Sequence, residues 1–284
     1  MKKYVFISDM FVENYRGGAE LTTAAIMYAA KKDSQIAKVH SGSLTADMIT
    51  QNPDAHYIVC NFAGLDEKVK LYMCKNADYS IVEYDYKFCE YRSMEKHFVA
   101  TGSECDCVQQ ITGKINSAFY GYAKKVWFMS AAQRAIFLKQ IPVLKEENTE
   151  VLSSIFSAGD MQFMDSIKDN EKDDKYLILG SNSWIKGTED CVEYAKDNEL
   201  AYEIVSGLPY HELLIKMSTS KGLIFRPLGS DTCPRIVIEA KLLGCDVILN
   251  EYVQHKDEEW FQSQEKAFDY LRTRSDIFWG YYAG

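Results

Sequence analysis

The stretch at residues 222–249 limits the possible folds more than any other part of the sequence. It contains two short apolar runs, at 222–225 and 246–249, of the kind that form buried parallel strands. Between them a polar loop leads into an apolar helical segment, in which Pro234 suits the first turn and Gly244 can end the helix. The order strand, loop, helix, strand predicts an α/β unit with a parallel sheet.

The same alternation of strand and helix signals extends along the whole chain. Further strands are predicted, with helices between them, at 3–8, 37–40, 56–61, 80–83, 125–129, 176–179 and 202–205, and residues 153–157 are expected to end the first half of the chain. We therefore predict the α/β class, with two Rossmann-like, doubly wound parallel-sheet domains.

A dense run of charges at 158–175 interrupts the alternation and is predicted to be the linker between the domains. The domains are then expected at 1–157 and 158–264. An amphipathic helix is predicted at 257–272. The aromatic C-terminal segment, 265–284, is predicted either to pack back on the first domain or to extend the second.

Composition excludes several classes of protein. The chain has 284 residues, 47% of them hydrophobic, so it can fill sizeable cores and is not globally disordered. Its net charge of −9 argues against a broad surface for nucleic acid or anionic membranes, although a local basic patch is compatible with that charge. No apolar run approaches the roughly 18–20 residues that span a bilayer. The first residues lack a signal-peptide pattern, so the cytoplasm is the expected location.

Two carboxylates flank the polar loop of the 222–249 stretch. Asp231 lies in the loop and Glu239 in the helix, with seven residues between them. Free N–H groups and the helix dipole favour an anion at a helix start. A carboxylate cannot hold that anion, but it can accept hydrogen bonds from hydroxyl groups of a sugar or a ribose. The alternative is an ordinary strand–helix unit with a capping aspartate and a surface glutamate.

This stretch resembles the acidic-x7-Glu motif of retaining, nucleotide-sugar-dependent glycosyltransferases of the two-Rossmann-domain (GT-B) type, family 4-like. The resemblance implies that the two domains face a cleft. It also implies that Asp231 contacts the donor sugar, that Thr232 and Cys233 hold the diphosphate through their amides, and that Glu239 contacts the ribose. The family usually has glutamate at the first acidic position, so Asp231 is a departure with a shorter side chain.

A second loop, at 180–187, resembles the Gly-Arg-x-x-x-x-Lys-Gly motif of the same family. Lys186 and Gly187 match, together with Gly180, and the resemblance implies that this loop neutralises the diphosphate. Ser181 stands where the family has arginine, so one expected cation is missing. Arg226 and Arg235 are the candidate replacements, and the alternative is weaker phosphate binding.

The first half of the chain carries weaker signals. Gly17 and Gly18 precede a predicted helix and resemble the family's Gly-Gly-Ala-Glu loop, where backbone amides approach the ligand. Glu83 ends a predicted strand and Asp85 follows it, and the resemblance implies a catalytic or acceptor-side polar contact for Asp85 first and Glu83 second. The alternatives are a plain strand–helix turn and two surface charges.

An irregular segment at 88–116 contains four soft metal ligands, Cys89, His97, Cys105 and Cys107. Three thiolates and an imidazole can hold tetrahedral zinc with no open position, which is typical of a structural site. The spacing is not that of a standard zinc finger or ribbon. Zinc, a disulfide and free thiols therefore remain three alternatives.

The function that the resemblance implies is transfer of a sugar from a nucleoside diphosphate to an unidentified acceptor, with retention of configuration and no required cofactor. The acceptor is a glycan, a small molecule or a lipid-linked molecule. Three alternatives remain: a non-catalytic nucleotide-sugar-binding module, a phage-type transferase that acts on nucleic-acid bases, and a nucleotide- or NAD-binding enzyme. A Gly-x-Gly-x-x-Gly motif after a strand is missing, which argues against NAD.

Overall fold

In a computed structural model that describes residues 2–283, the chain divides into two units. One unit contains the chain up to Ile155 and again from Ser275, and the other is Phe156–Arg274. Each unit is built on its own sheet, and all neighbouring strands described in both sheets are parallel.

The first unit has a six-stranded sheet in the order β2-β1-β3-β4-β5-β6. Its strands are β1 (Lys3–Ser8), β2 (Gln35–His40), β3 (His56–Val59), β4 (Asp78–Glu83), β5 (Val126–Phe128) and β6 (Thr149–Val151). Its helices are α1 (Gly18–Tyr28), α2 (Ala46–Thr50), α3 (Glu67–Asn76), α4 (Met94–Thr101), α5 (Ile111–Tyr122) and α6 (Ala131–Gln140). Several begin at a side chain that accepts a hydrogen bond from the first turn, namely Thr45, Asp66, Ser93 and Ser130.

The second unit has a four-stranded sheet in the order β10-β9-β7-β8. Its strands are β7 (Tyr176–Leu179), β8 (Tyr202–Val205), β9 (Gly222–Phe225) and β10 (Asp246–Leu249). Its helices are α7 (Ala158–Ile167), α8 (Thr188–Asp197), α9 (Tyr210–Ser218), α10 (Arg235–Leu242) and α11 (Gln264–Arg272). The predicted class, α/β with two Rossmann-like parallel-sheet domains, is confirmed.

The structure differs from the prediction at three places. The linker predicted at 158–175 contains α7, because Ser157 caps it by accepting from the backbone N–H of Asp160 and two methionines of the helix are buried. The strand β6 at Thr149–Val151 was not predicted, and Ser153, with φ 66°, follows its end. The helix predicted at 257–272 begins only at Gln264, where Ser263 caps it.

A last helix, α12 (Arg274–Tyr281), carries the C-terminal aromatic residues. Trp279 packs edge-on against Tyr4 of β1, with ring centroids 5.0 Å apart, and its indole N–H donates to the carbonyl of Ile26 at 2.8 Å. Residues from Ser275 onward therefore belong to the core of the first unit, while α11 belongs to the second. Among residues 2–283, no helix has the length and apolar character needed to cross a membrane.

Candidate functional site

The strand order of the second unit indicates where a ligand binds. The chain leaves β7 toward β8 on one side of the sheet and leaves β9 toward β10 on the other. Open parallel sheets bind ligands outside the carboxyl ends of the strands at such a switch point. The loops at that position are 180–187 after β7 and 226–234 after β9, and the N–H of Leu228 joins them by donating to the carbonyl of Ile185 at 3.2 Å.

Lys186 and Asp231, one from each loop, form an ion pair at this switch point. The ammonium nitrogen of Lys186 lies 2.8 Å from Oδ2 of Asp231, and the two side chains are 29% and 13% exposed. The backbone of Asp231 is fixed on its other side, because its N–H donates to the carbonyl of Tyr252 at 2.9 Å. The two residues predicted to contact the diphosphate and the donor sugar are thus neighbours.

Gly187 allows the 180–187 loop to approach the other loop closely. Its φ is +58°, and a Cβ placed on it would lie 2.1 Å from the carbonyl oxygen of Arg226. Any side chain here would push the two loops apart. Gly187 is therefore required for the position of Lys186.

Ser181, where the family has arginine, takes part in the turn of its own loop. Its hydroxyl accepts from the N–H of Ser183, and its N–H donates to the hydroxyl of Thr188 at the start of α8. One predicted replacement cation, Arg226, pairs with Asp190 of α8 at 2.8 Å. Arg226 is thus held by α8 rather than left without a counterion.

The other predicted replacement, Arg235, is nearly buried at the start of α10 and lies against Glu239 one turn later. The Nε atom of Arg235 is 3.4 Å from Oε1 of Glu239, and the hydroxyl of Tyr210 donates to the same oxygen at 2.8 Å. The guanidinium group of Arg235 also stacks on the ring of Phe156, 3.8 Å from its centroid.

Glu239 is 3% exposed, so the surface-glutamate alternative is wrong. Burial raises the pKa of Glu239, and the opposing effects of Arg235 and Tyr210 only partly offset it. Thr232 and Cys233 are also buried and lie directly before Pro234, the residue that precedes α10. Their predicted contact with a diphosphate stays a prediction.

In the first unit, the polar residues predicted at the end of β4 form a compact network of charges. Glu83 is fully buried, and Lys87 binds both Oε1 of Glu83 at 2.7 Å and Oδ1 of Asp85 at 3.0 Å. The hydroxyl of Tyr120 donates to the other oxygen of Glu83, and Arg92 binds Oδ2 of Asp85. The surface-charge alternative is therefore wrong for Glu83, while Asp85 keeps 23% of its side chain exposed.

The two carboxylates of this network respond differently to their surroundings. Burial raises the pKa of Glu83, and the nearby positive charge of Lys87 opposes that shift. Burial acts on Asp85 in the same direction, but Lys87 and Arg92 together outweigh it and lower the pKa of Asp85. Asp85 is thus the more firmly ionised member of the pair.

Gly17 and Gly18 lie at the start of α1, as predicted, with Gly17 preceding the helix and Gly18 as its first residue. A Cβ on Gly17 would lie 2.6 Å from a carboxylate oxygen of Glu20 and from the ring of Tyr15. Burial raises the pKa of Glu20, although the backbone N–H groups of Glu20 and Gly17 partly offset this. The helix start is therefore occupied by a carboxylate of the same chain.

Asp9 is a residue of this region to which the sequence analysis assigned no role. It follows β1, and its carboxylate accepts from the N–H groups of Ala63 and Gly64 at 2.9 Å each, and from the hydroxyl of Ser41. Asp9 thereby joins the loops that follow β1 and β3, which is the switch point of the first sheet. A lone aspartate directly after a strand is the only sequence signal for it.

A cavity of about 770 Å³ lies in the first unit beside the charge network. Lys70, Lys87 and Arg92 line it together with Phe62. Lys70 is 4% exposed and donates to the side-chain oxygen of Asn116 at 3.0 Å, and burial lowers the pKa of its ammonium group. The cavity thus combines three cationic side chains with an aromatic wall.

Three of the four predicted metal ligands, Cys89, His97 and Cys107, also line this cavity. The ligand atoms of Cys89, His97, Cys105 and Cys107 all lie within 4.8 Å of one another. The four residues come from the loop after β4, from α4 and from the segment before α5.

Known proteins resemble this chain in structure only. No known protein family and no curated protein matches the sequence. The Anabaena protein HepE in complex with UDP-glucose has a TM-score of 0.57 and 13% identity, over 98% of this chain and 91% of HepE. AviGT4, a glycosyltransferase involved in avilamycin A biosynthesis, has a TM-score of 0.53 and 10% identity, over 98% of this chain and 93% of AviGT4. The trehalose-6-phosphate synthase OtsA has a TM-score of 0.61 and 9% identity, over 96% of this chain and 91% of OtsA. At such low identities these likenesses show the fold, which is that of GT-B glycosyltransferases.

Proposed function

We propose that this protein is a glycosyltransferase that moves a sugar from a nucleoside diphosphate to an acceptor hydroxyl. The observation that supports it most is the Lys186–Asp231 pair at the switch point of the second sheet. A cation for the departing diphosphate and a carboxylate for the sugar hydroxyls are adjacent there. The buried Glu239 lies in α10, the helix that follows the Asp231 loop, as a partner for a ribose hydroxyl.

The proposed chemistry is stabilisation of the leaving group. As the bond from the sugar to the diphosphate breaks, negative charge grows on the phosphate oxygens. Lys186 and the amides before α10 neutralise it, and removing one such contact typically costs on the order of 10²-fold in rate. Lys186 is paired with Asp231, so donor binding exchanges that carboxylate for a phosphate.

We further propose that the reaction retains the configuration of the sugar, as in the family 4-like enzymes that the motifs resemble. Solved structures of similar fold were obtained with UDP-glucose and with UDP-2-fluoro glucose, which makes UDP-sugars the first donors to test. For the acceptor, we propose the cavity of the first unit. Asp85 is the candidate polar contact because it is ionised, partly exposed and paired with Lys87 and Arg92, which line that cavity.

A thermal-shift experiment with nucleoside diphosphates and their sugars tests the donor site. A ligand at about 100 times its Kd stabilises the folded protein by about 2.7 kcal/mol, which is readily measured. Lys186→Ala is expected to abolish the shift. Glu239→Ala should do the same, provided that circular dichroism shows the variant to be folded.

The matched control is Lys196→Ala, because Lys196 is an exposed lysine of α8 in the same unit. It should respond to ligands as the wild type does. If the Lys186→Ala protein keeps the full shift for every ligand that stabilises the wild type, the donor site lies elsewhere.

A non-catalytic nucleotide-sugar-binding module is the second candidate. It is favoured by the missing cation at Ser181 and by the internal pairing of Arg226 with Asp190 and of Arg235 with Glu239. With Arg226 and Arg235 paired inside the chain, fewer positive charges are available to neutralise the departing diphosphate, and sugar transfer is less favoured. Release of UDP from UDP-sugar, followed with and without candidate acceptors, separates the two: an enzyme releases UDP, whereas a binding module shows the thermal shift without release.

A further inference from the structure

We propose that Cys89, His97, Cys105 and Cys107 bind one zinc ion, and that this ion fixes the segment between β4 and α5. The proposal does not depend on the glycosyltransferase function. It rests on four side chains of the irregular 88–116 segment that converge on one point, with three of them buried and Cys105 half-buried.

The distances among the ligand atoms fit a single tetrahedral ion. Zinc lies about 2.3 Å from thiolate sulfur and about 2.0–2.1 Å from imidazole nitrogen, so ligand atoms around it are about 3.6–3.8 Å apart. The Nδ1 atom of His97 is 3.5 Å from the sulfur of Cys107 and 3.8 Å from that of Cys89. Cys105 completes the set within 4.8 Å.

The surrounding backbone supports a charged sulfur cluster. The N–H of Glu90 donates to the sulfur of Cys107 at 3.5 Å, a contact of the kind that orients metal-bound thiolates. A Cβ on Gly113 would lie 1.8 Å from the carbonyl oxygen of Cys107, so α5 approaches this turn at a distance that only glycine allows. Local structure therefore holds Cys107 in place from both sides.

The chemistry of the ligands indicates the ion and its role. Three thiolates and one imidazole are the ligands of structural zinc, and four protein ligands leave no position for a substrate. A disulfide would join only two of the three sulfurs and would leave the approach of His97 without an explanation. Zinc accounts for all four side chains together.

The ion would also determine the position of Arg92, which lies between two of its ligands. Arg92 has φ 56°, a strained conformation for a residue with a side chain, and such strain persists only where the surroundings impose it. Its guanidinium group pairs with Asp85 and donates to the side-chain oxygen of Asn61. By fixing Cys89 and His97, zinc would hold Arg92 against the carboxylate of Asp85.

Metal analysis of the purified full-length protein tests the proposal. We expect one equivalent of zinc per chain, retained through dialysis. X-ray absorption at the zinc edge should show three sulfur neighbours at about 2.3 Å and one nitrogen at about 2.0–2.1 Å. This measurement uses the wild type and does not depend on whether any variant folds.

Two cysteine variants provide the matched comparison. Cys107→Ala is expected to lose the zinc and, where it folds, to show faster hydrogen exchange across residues 88–107. Cys74→Ala removes a half-buried thiol of α3 outside the cluster and should keep one equivalent.

Three results would each overturn the proposal. One is a protein purified from zinc-containing medium that holds no zinc and takes up none when zinc sulfate is added. Another is a coordination shell without three sulfurs. The last comes from alkylating the denatured protein without prior reduction. If fewer than its eight cysteines react, the protein contains a disulfide.

Discussion

At the scale of single residues, buried acidic side chains form pairs with basic ones in both units. Glu83 is paired with Lys87, and Glu239 with Arg235. Removing one member of such a pair typically costs about 3–5 kcal/mol, because the other charge stays buried. His255 is also fully buried, but neither of its ring nitrogens has a hydrogen-bond partner within the described part of the chain.

His255 is predicted to make the second unit sensitive to acid. Burial lowers its pKa to about 3, whereas the unfolded imidazole has a pKa of about 6.5. Between these values the unfolded state binds a proton and the folded state does not. The free energy of unfolding therefore falls as the pH drops below about 6.5, by about 1.4 kcal/mol per pH unit for this group.

Urea unfolding of the wild type and of His255→Phe at about pH 7 and about pH 5 measures this effect. Phenylalanine keeps an aromatic ring against Trp260 and Phe261, which contact His255. The wild type should lose about 2 kcal/mol more than the variant between the two pH values. Equal losses in the two proteins would show that His255 is hydrated or bonded in solution.

At the scale of elements, the 180–187 loop is the most tightly constrained part of the candidate donor site. We expect Gly187→Ala to cost more than about 3 kcal/mol, since the left-handed backbone alone costs about 1–2 kcal/mol and the new methyl group meets a carbonyl oxygen. That oxygen belongs to Arg226 and would lie 2.1 Å from the added Cβ. Denaturant unfolding measures the cost, and donor binding should weaken in parallel.

Gly207→Ala is the control, because Gly207 also has a positive φ, +68°, but no atom within 4 Å of an added Cβ. It should cost only about 1–2 kcal/mol, from backbone strain alone. Similar costs for the two variants would mean that the two loops separate easily and that the close approach at Gly187 does not hold Lys186.

Elements whose signals are local were predictable from the sequence. The four strands of the second unit lie at the predicted residues, because each is a short apolar run between polar loops. Helix α7 was missed, although Ser157 and Asp160 form a cap and Met161 and Met164 lie on one buried face. The dense charges that follow it masked those signals.

The site was predictable only in part, because side-chain partners come from distant segments. Lys186 and Asp231 were identified by their motifs, but their mutual pairing depends on two loops 45 residues apart. Likewise, the burial of Glu83 depends on Tyr120, which is 37 residues further along the chain. No local pattern contains such information, since it arises when the sheet brings strand ends together.

At the scale of the whole molecule, the first unit is built from two separate segments of the chain. The first segment ends at Ile155, the second unit follows, and the second segment begins at Ser275. The returning residues are not peripheral: Phe278, Trp279 and Tyr282 are at most 7% exposed, and the indole N–H of Trp127 donates to the hydroxyl of Tyr282 at 3.1 Å. The core of the first unit is therefore completed by the last residues of the chain.

Trp279→Ala is predicted to destabilise the first unit by about 3–5 kcal/mol, the usual cost of removing a buried tryptophan side chain. Hydrogen exchange measured by mass spectrometry should show amides of β1 and β5 exchanging about a hundredfold faster or more, with those of β7 to β10 unchanged. Tyr28→Ala, at a side chain that is 74% exposed in the same unit, should change stability by less than about 0.5 kcal/mol. If β1 keeps its protection in Trp279→Ala, then α12 does not contribute to the core of the first unit. If protection falls equally in both sheets, the two units unfold together, and the core that Trp279 completes supports the whole chain.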